Sequence, residues 1–276
     1  MNPKISVITI SYNNKEGLEK TLKSVTSQDY KDFEYIVIDG GSNDGSKEIL
    51  EKYSDKINYW VSEPDKGIYN AMNKGIEAAK GEYLLFLNSG DELFSNTIIA
   101  EILPELDGAD IISGDLNIVE ADGRSWVNRN PEIIRFRVLC QYTILHPCTF
   151  IKKECFEKIG YYDEDLKIVA DWKWFLLGLG KYNLTYKKIK EIPTVFYADG
   201  ISSKKENRKQ LMEERKTTLE KEFPMFIDDY KELYSNEQDA KILSIMNKSR
   251  WTKLGKKIGF MKKAVIAFHQ KKTLWE

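Results

Sequence analysis

The apolar positions of this chain change period repeatedly over its first ninety residues. Ile5 to Ile10 form a near-continuous apolar stretch rich in β-branched residues, which predicts a strand buried on both faces of a parallel sheet. Asn13 and Asn14 break that run with helix-start character, and Leu18, Leu22 and Val25 then recur at helical spacing. Tyr35 to Ile38 predict a second buried strand, stopped by Asp39-Gly40-Gly41-Ser42-Asn43-Asp44-Gly45, with Ile49, Leu50 and Tyr53 predicting a helix behind it. Tyr59 to Val61 predict a short strand, Ile68 to Ala79 a helix closed by Gly81, and Tyr83 to Leu87 a strand that stops at Asn88-Ser89-Gly90-Asp91. Strands alternating with helices, with polar clusters at the strand ends, predict an open α/β sheet.

Further along, the pattern loosens. Ile111-Ile112 and Leu116 to Val119 predict strands, and Ala121-Asp122-Gly123-Arg124 a hairpin turn before Trp126-Val127. Phe150-Ile151 precede a helix around Cys155 to Ile159, and Ala170 opens another that ends near Gly178 and Gly180. Thr185 to Tyr197 hold two more short strands, separated near Pro193. After Gly200 the chain turns Lys/Glu-rich and helical, which places a domain edge near residue 203. The expected organisation is an α/β domain over 1–203, in two halves of about 1–115 and 116–203, and a basic helical extension over 204–276.

Charge changes this picture in one respect. Lys and Arg number 42 against 43 Asp and Glu, a net charge of -1 that removes the simplest case for a nucleic-acid binder. Residues 204–276 nevertheless hold 18 basic and 11 acidic residues, so an acidic body carries a basic end. There, Trp251, Leu254, Ile258, Met261, Val265 and Phe268 form an apolar helical stripe with Lys253, Lys256 and Lys263 largely opposite. That stripe fits a helix docked on the domain or on a second subunit of a homo-oligomer. It fits equally a helix lying on an anionic membrane surface through residues 248–276. Cys140, Cys148 and Cys155 match no zinc spacing, and their odd number argues for buried, reduced thiols. The apolar stretch after Met1 is too short and polar for a signal segment, and no run is long enough to span a bilayer, so the expected location is the cytoplasm.

Familiar phosphate motifs are absent. Gly40 to Lys47 reads GGSNDGSK, in which Lys and Ser stand in the wrong order for a P-loop, and no GxGxxG opens a helix after the first strand. His146 and His269 are too isolated for a zinc pair or a hydrolase triad. What remains is a set of carboxylates. Ligands of open α/β sheets bind outside the carboxyl ends of the strands, and the clusters around Tyr12, Asp39 and Asp91 occupy three such ends. Asp39 suits accepting from a base N–H or a ribose hydroxyl, Asp91 suits a hard divalent cation bridging a diphosphate, and Asp171 suits a general base. Each position alone is also compatible with a turn, a cap or a solvated charge, Asp171 with a helix N-cap in particular.

Four motifs in order carry a resemblance. Ile5 to Asn13, Val37-Ile38-Asp39-Gly40-Gly41-Ser42-Asn43-Asp44-Gly45, Asp65 to Gly75 (DKGIYNAMNKG) and Phe86-Leu87-Asn88-Ser89-Gly90-Asp91 together resemble the nucleotide half of family 2 glycosyltransferases with the GT-A fold. His146-Pro147, Ile159 to Asp163 and Ala170-Asp171-Trp172 extend the similarity to about residue 200. The resemblance implies a Rossmann-like sheet, mainly parallel, with helices on both faces, a nucleotide-sugar half over 1–115 and an acceptor half over 116–203. It implies that Thr9, Ser11 and Tyr12 line a nucleoside pocket, that Asp39 binds a uracil ring, and that Gly41 and Ser42 pass close to the nucleoside. Asp65, Lys66, Gly67, Asn70 and Asn73 would flank the donor, with Lys66 near its diphosphate. Asn88, Ser89, Gly90 and Asp91 would bind the donor, Asp91 helping to hold Mg²⁺ or Mn²⁺. Asp171 would be the catalytic base. His146 would touch the acceptor or a donor phosphate, or else be a buried, hydrogen-bonded histidine.

The chain departs from the family pattern where Asn88 and Gly90 replace two carboxylates of the metal segment, and where Ala170 replaces the acid before Asp171. The implied reaction is inverting transfer of a sugar from a UDP-sugar to a saccharide hydroxyl. A lipid-linked oligosaccharide in surface-polysaccharide assembly is the favoured acceptor, met in the cytoplasm or at the inner face of the membrane. A sugar nucleotidyltransferase and a non-catalytic nucleotide- or saccharide-binding protein are the alternatives.

Overall fold

The computed structural model describes residues 2–197, 205–229, 231–232 and 235. The chain divides into two compact units, 1–208 and 209–276. The first opens with β1 (Ile5–Ser11), α1 (Lys15–Thr26), β2 (Glu34–Asp39), α2 (Ser46–Lys52), β3 (Tyr59–Ser62), α3 (Ile68–Ala78) and β4 (Tyr83–Phe86). It continues through β5 (Glu92–Leu93), α4 (Ile98–Ile102), β6 (Ile111–Ser113), β7 (Leu116–Val119), β8 (Ser125–Asn128) and α5 (Phe136–Gln141). It closes with β9 (Thr149–Lys152), α6 (Glu154–Ile159), α7 (Ala170–Gly180), β10 (Tyr186–Lys188) and β11 (Thr194–Tyr197). In the second unit the described residues hold most of α8 (Arg208–Glu222). The apolar stripe over 248–276 lies outside the described residues.

Among the described residues, seven strands form the main sheet in the order β10-β6-β9-β4-β1-β2-β3. β1 runs parallel to β2 and β4, β2 to β3, and β6 to β10, while β9 alone is antiparallel to its neighbours β4 and β6. The sheet is therefore mainly parallel, and both of its faces are covered, as a near-continuous apolar strand such as β1 requires. Ile5 and Val7 of β1 and Tyr35 and Val37 of β2 pack with Leu18, Leu22 and Val25 of α1, Leu50 of α2 and Ile98, Ile99 and Ile102 of α4. Ile8 and Ile38 turn the other way, toward α3. A Cβ on Gly75 would lie 2.5 Å from Ile8 Cγ2, so α3 approaches the sheet closely only because that position has no side chain.

Two features differ from expectation. Gly81 does not close α3, which ends at Ala78 with an extended Ala79 as its cap. Gly81 instead lets the chain cross β1, where a Cβ would meet Ser6 N at 2.5 Å. A second sheet also forms, in the order β5-β11-β7-β8. Its strands β5 and β11 pair across a hundred residues of sequence, a long-range pairing that local periodicity does not reveal. Cys140, Cys148 and Cys155 are buried and take part in no disulfide.

Candidate active site

The three parallel strands β1, β2 and β3 end in register, with Ser11 opposite Asp39 and Asp39 opposite Ser62. Asp39 is fully buried and accepts three hydrogen bonds: from Ser42 N–H at 2.9 Å, Ser42 Oγ at 2.5 Å and Ser62 Oγ at 2.7 Å. Its first role is thus to fold the turn behind it. Gly41 sits at φ +80, and a Cβ there would come within 2.9 Å of Pro64 N, so both conformation and space demand glycine. Asn13, at φ +47, binds the same turn twice, its N–H donating to Ser42 Oγ and its Oδ1 accepting from Asn43 N–H. A Cβ on Gly40 would meet Asp65 Oδ2 at 2.5 Å and the Tyr12 ring at 3.2 Å, which brings Tyr12, Gly40 and Asp65 to one spot. Tyr12 is 66% exposed there, an aromatic face open to a planar ligand. Thr9 is placed differently. It is fully buried within β1, its hydroxyl 3.1 Å from the Tyr35 hydroxyl, so it sits in the sheet and not at the strand end.

The turn after β4 completes this rim. Ser89 N–H donates to Ile10 O, and Asn14 Nδ2 donates to Ser89 O and Oγ. Thr21 Oγ1 accepts from Gly90 N–H and donates to Asp91 O, and Gly90 takes φ +107. Asp91 is buried, and its Oδ1 accepts from Tyr197 N–H at 3.2 Å. Two buried polar atoms here have no hydrogen-bond partner: Ser11 Oγ, and Asn88 Oδ1. Buried polar atoms are rarely left so. No group of three His, Cys, Asp or Glu side chains converges on a metal position among the described residues. The orphaned Asn88 oxygen and the Asp91 carboxylate, three residues apart, are hard donors that fit Mg²⁺ or Mn²⁺ if a diphosphate provides further oxygens.

The third part joins α3 to the chain a hundred residues later. Asp65 Oδ1 accepts from Gly67 N–H, and Lys66 N–H donates to Asn70 Oδ1, which shapes the entry to α3. Asn70 and Asn73 donate to the two oxygens of Glu164 at 3.0 and 2.9 Å, and Asn73 also exchanges hydrogen bonds with the backbone of Tyr162. These amides hold the Glu164 carboxyl below its ordinary range. One turn away, Tyr69 donates its hydroxyl to Asp171 Oδ1 at 3.1 Å. Val169 is the N-cap of α7, and Asp171 lies in its first turn, so Asp171 does not serve as the cap. Burial foremost, together with the Asp171 charge and hydrogen bond, pushes the Tyr69 phenol far up. His146 is buried, with Nε2 2.8 Å from the Tyr162 hydroxyl and its ring 4.9 Å from that of Phe86. Burial pulls the imidazole below its ordinary value, against the opposing charge of Asp171.

Tyr69, Tyr162, Glu164 and Ser62 escaped the residue-level expectations. Tyr69 and Tyr162 lie inside the quoted motifs, but nothing local singles them out from packing aromatics. A groove of about 980 Å³ opens elsewhere, beside β3, lined by Lys31, Phe33, Tyr59, Glu77 and Lys80 among others. Its lining includes none of the expected site residues.

Comparison with known proteins bears on the whole arrangement. The model for glycosyl transferase family 2 matches residues 6–160. An uncharacterized glycosyltransferase of Mycobacterium tuberculosis is 37% identical over 179 residues, covering 63% of this chain and 68% of its own. A PGL/p-HBAD biosynthesis glycosyltransferase of Mycobacterium bovis is 29% identical over 176 residues, 62% of this chain and 67% of its own. Among solved structures, S. aureus TarS 1-349 in complex with UDP-GlcNAc superposes with a TM-score of 0.60 at 19% identity, covering 79% of this chain and 66% of that one. The mannosyltransferase PcManGT of Pyrobaculum calidifontis, in complex with GDP-Man and Mn²⁺, gives 0.54 at 18% identity, over 74% and 59%. This chain spans 40% of the longer TarS chain.

Proposed function

The chain belongs to glycosyl transferase family 2 and is a glycosyltransferase with the GT-A fold, and from that premise we propose an inverting transfer of a sugar from a UDP-sugar to a saccharide hydroxyl. The observation that carries this reading is the 3.1 Å contact between Tyr69 and Asp171. It sets a carboxylate of α7 against α3, the helix whose entry segment Asp65–Lys66–Gly67 follows the strand-end cluster.

In this reading the uracil stacks on the exposed Tyr12 ring beside Gly40 and Asp65. Asp39 accepts from the base once the Ser42 hydroxyl, now donating to Oδ1, turns away. Ser11 Oγ and Asn88 Oδ1 gain the partners they lack. Asp91 and Asn88 would hold Mg²⁺ or Mn²⁺, which would neutralise charge on the leaving diphosphate; Lys66 and backbone N–H groups would add to that neutralisation. Ser89 and Gly90 shape the turn that carries these groups, and Asn70 and Asn73 keep α3 in place through Glu164. Asp171 accepts the acceptor proton as its oxygen attacks the anomeric carbon opposite the leaving group, through an oxocarbenium-like transition state. His146 remains neutral and supports Tyr162.

We assign a lipid-linked oligosaccharide as acceptor, in assembly of a surface polysaccharide. The mycobacterial relative named for PGL/p-HBAD biosynthesis and the basic apolar stripe over 248–276 support that reading. No helix among the described residues is long and apolar enough to cross a membrane. The stripe is expected to bind anionic vesicles, each lysine adding about 1 kcal/mol near the surface. Deleting residues 248–276 should abolish sedimentation with such vesicles, and equal sedimentation without them would remove the membrane contact from this account.

The test of the activity is UDP release from UDP-glucose, UDP-galactose and UDP-N-acetylglucosamine with Mn²⁺, in wild type and Asp171→Asn. Slow hydrolysis in wild type, lost in the variant, is expected. Binding of UDP without turnover in either protein would instead favour a binding module.

A further inference from the structure

Three side chains of α3 reach across to the acceptor half within little more than one turn. Asn70 and Asn73 hold Glu164, and Tyr69 holds Asp171. The first two bonds fix the helix, since Glu164 receives an amide on each carboxylate oxygen. The third has a different character: it ends on the carboxylate that the preceding section takes as the base. We propose that Tyr69 is the positioning residue of that base, donating to Asp171 Oδ1 and leaving Oδ2 to take the acceptor proton. The inference rests on the assignment of Asp171 as base and adds how that base is aimed.

The surroundings of Asp171 give the bond its weight. Tyr69 comes from α3, Tyr162 from the segment between α6 and α7, and His146 from the turn before β9, and all three are buried. All three also feel the Asp171 charge. The Tyr162 hydroxyl is occupied with His146 Nε2, so of the two tyrosines Tyr69 is the one bonded to the carboxylate. Lys173, the cation nearest in sequence on α7, is paired with Asp163 at 2.5 Å. A hydroxyl bonded to a carboxylate favours its charged form and fixes one of its two oxygens. Tyr69 also belongs to the helix that follows the donor-flanking segment, so the base is aimed by the same element that borders the donor.

The decisive readout does not depend on knowing the sugar. Aspartate labelled with ¹³C at the carboxyl carbon, with the Asp171 signal identified by its loss in Asp171→Asn, reports the phenol contact directly. In Tyr69→Phe that signal is expected to shift, with UDP affinity unchanged. An unchanged signal overturns the proposal. Should Tyr69→Phe fail to fold, 3-fluorotyrosine at position 69 keeps the shape with a stronger donor, and the signal must then move in the opposite direction. In turnover, Tyr69→Phe is expected to lower kcat without raising the donor KM. Loss through KM alone would mark Tyr69 as a packing residue and reject the role. The two assignments fail separately. Full turnover in Asp171→Asn removes the base, whereas a dead Asp171→Asn beside an unchanged Tyr69→Phe removes only the positioning.

Discussion

Asp39 and Asp171 are both carboxylates of the candidate site, and they are held in opposite ways. Asp39 is closed in by its own neighbourhood: Ser42 lies three residues on, Ser62 lies on the next strand, and together they donate three hydrogen bonds to a fully buried side chain. Asp171 takes the Tyr69 hydroxyl from 102 residues away and is only partly buried. A carboxylate satisfied by its own turn is suited to hold a shape. One held at a single oxygen and less deeply buried is suited to exchange a proton. The contrast is the physical basis of the proposed division between binding and chemistry.

The largest expected effect falls on the chemical side. Asp171→Asn keeps volume and the Tyr69 contact but removes the proposed proton acceptor, so turnover should drop by about 10²- to 10⁴-fold, read as UDP release. Next comes stability at the binding side. Asp39→Ala leaves the Ser42 and Ser62 hydroxyls and the Ser42 N–H without their acceptor, which should cost about 1–3 kcal/mol in denaturant unfolding. Asp171→Asn should cost far less by the same measurement, and an equal loss in both would erase the contrast. Gly75→Ala tests the frame that both share. Its methyl would meet Ile8 Cγ2 at 2.5 Å, and the overpacking should cost about 1–3 kcal/mol.

The smallest effect concerns His146. Its folded imidazole resists protonation because it is buried, whereas the unfolded chain takes a proton near about 6.5. Below that pH the unfolded state binds more protons, so stability contributed by the neutral histidine is present above about pH 6.5 and is lost as pH falls further. The Tm difference between pH 7.5 and 5.5 should therefore shrink in His146→Gln. No change in that difference would contradict the buried, neutral assignment.

The same contrast explains what the sequence makes legible. The strand-end clusters stand out because each is local. Asp39, Gly41 and Ser42 form one turn, and the apolar runs of β1, β2 and β4 point to where those turns must lie. The parallel core and the helices on its two faces follow from that alternation. Tyr69 and Glu164 do not stand out, because their partners come from the other half of the domain and no spacing encodes the meeting. Ser62 carries no signal at all until β3 is seen beside β2. Thr9 shows the converse limit: membership of a motif strand placed it with the pocket, but its hydroxyl belongs to Tyr35 inside the sheet.

The division between binding and chemistry is tested most directly by titrating UDP, with Mn²⁺ present, into wild type, Asp39→Ala and Asp171→Asn in a calorimeter. A charge-assisted bond to the base corresponds to about 1.5–3 kcal/mol, or about tenfold to a hundredfold in Kd. The account predicts that loss for Asp39→Ala and wild-type affinity for Asp171→Asn. Equal affinity in all three proteins, or weakening in Asp171→Asn alone, would contradict it.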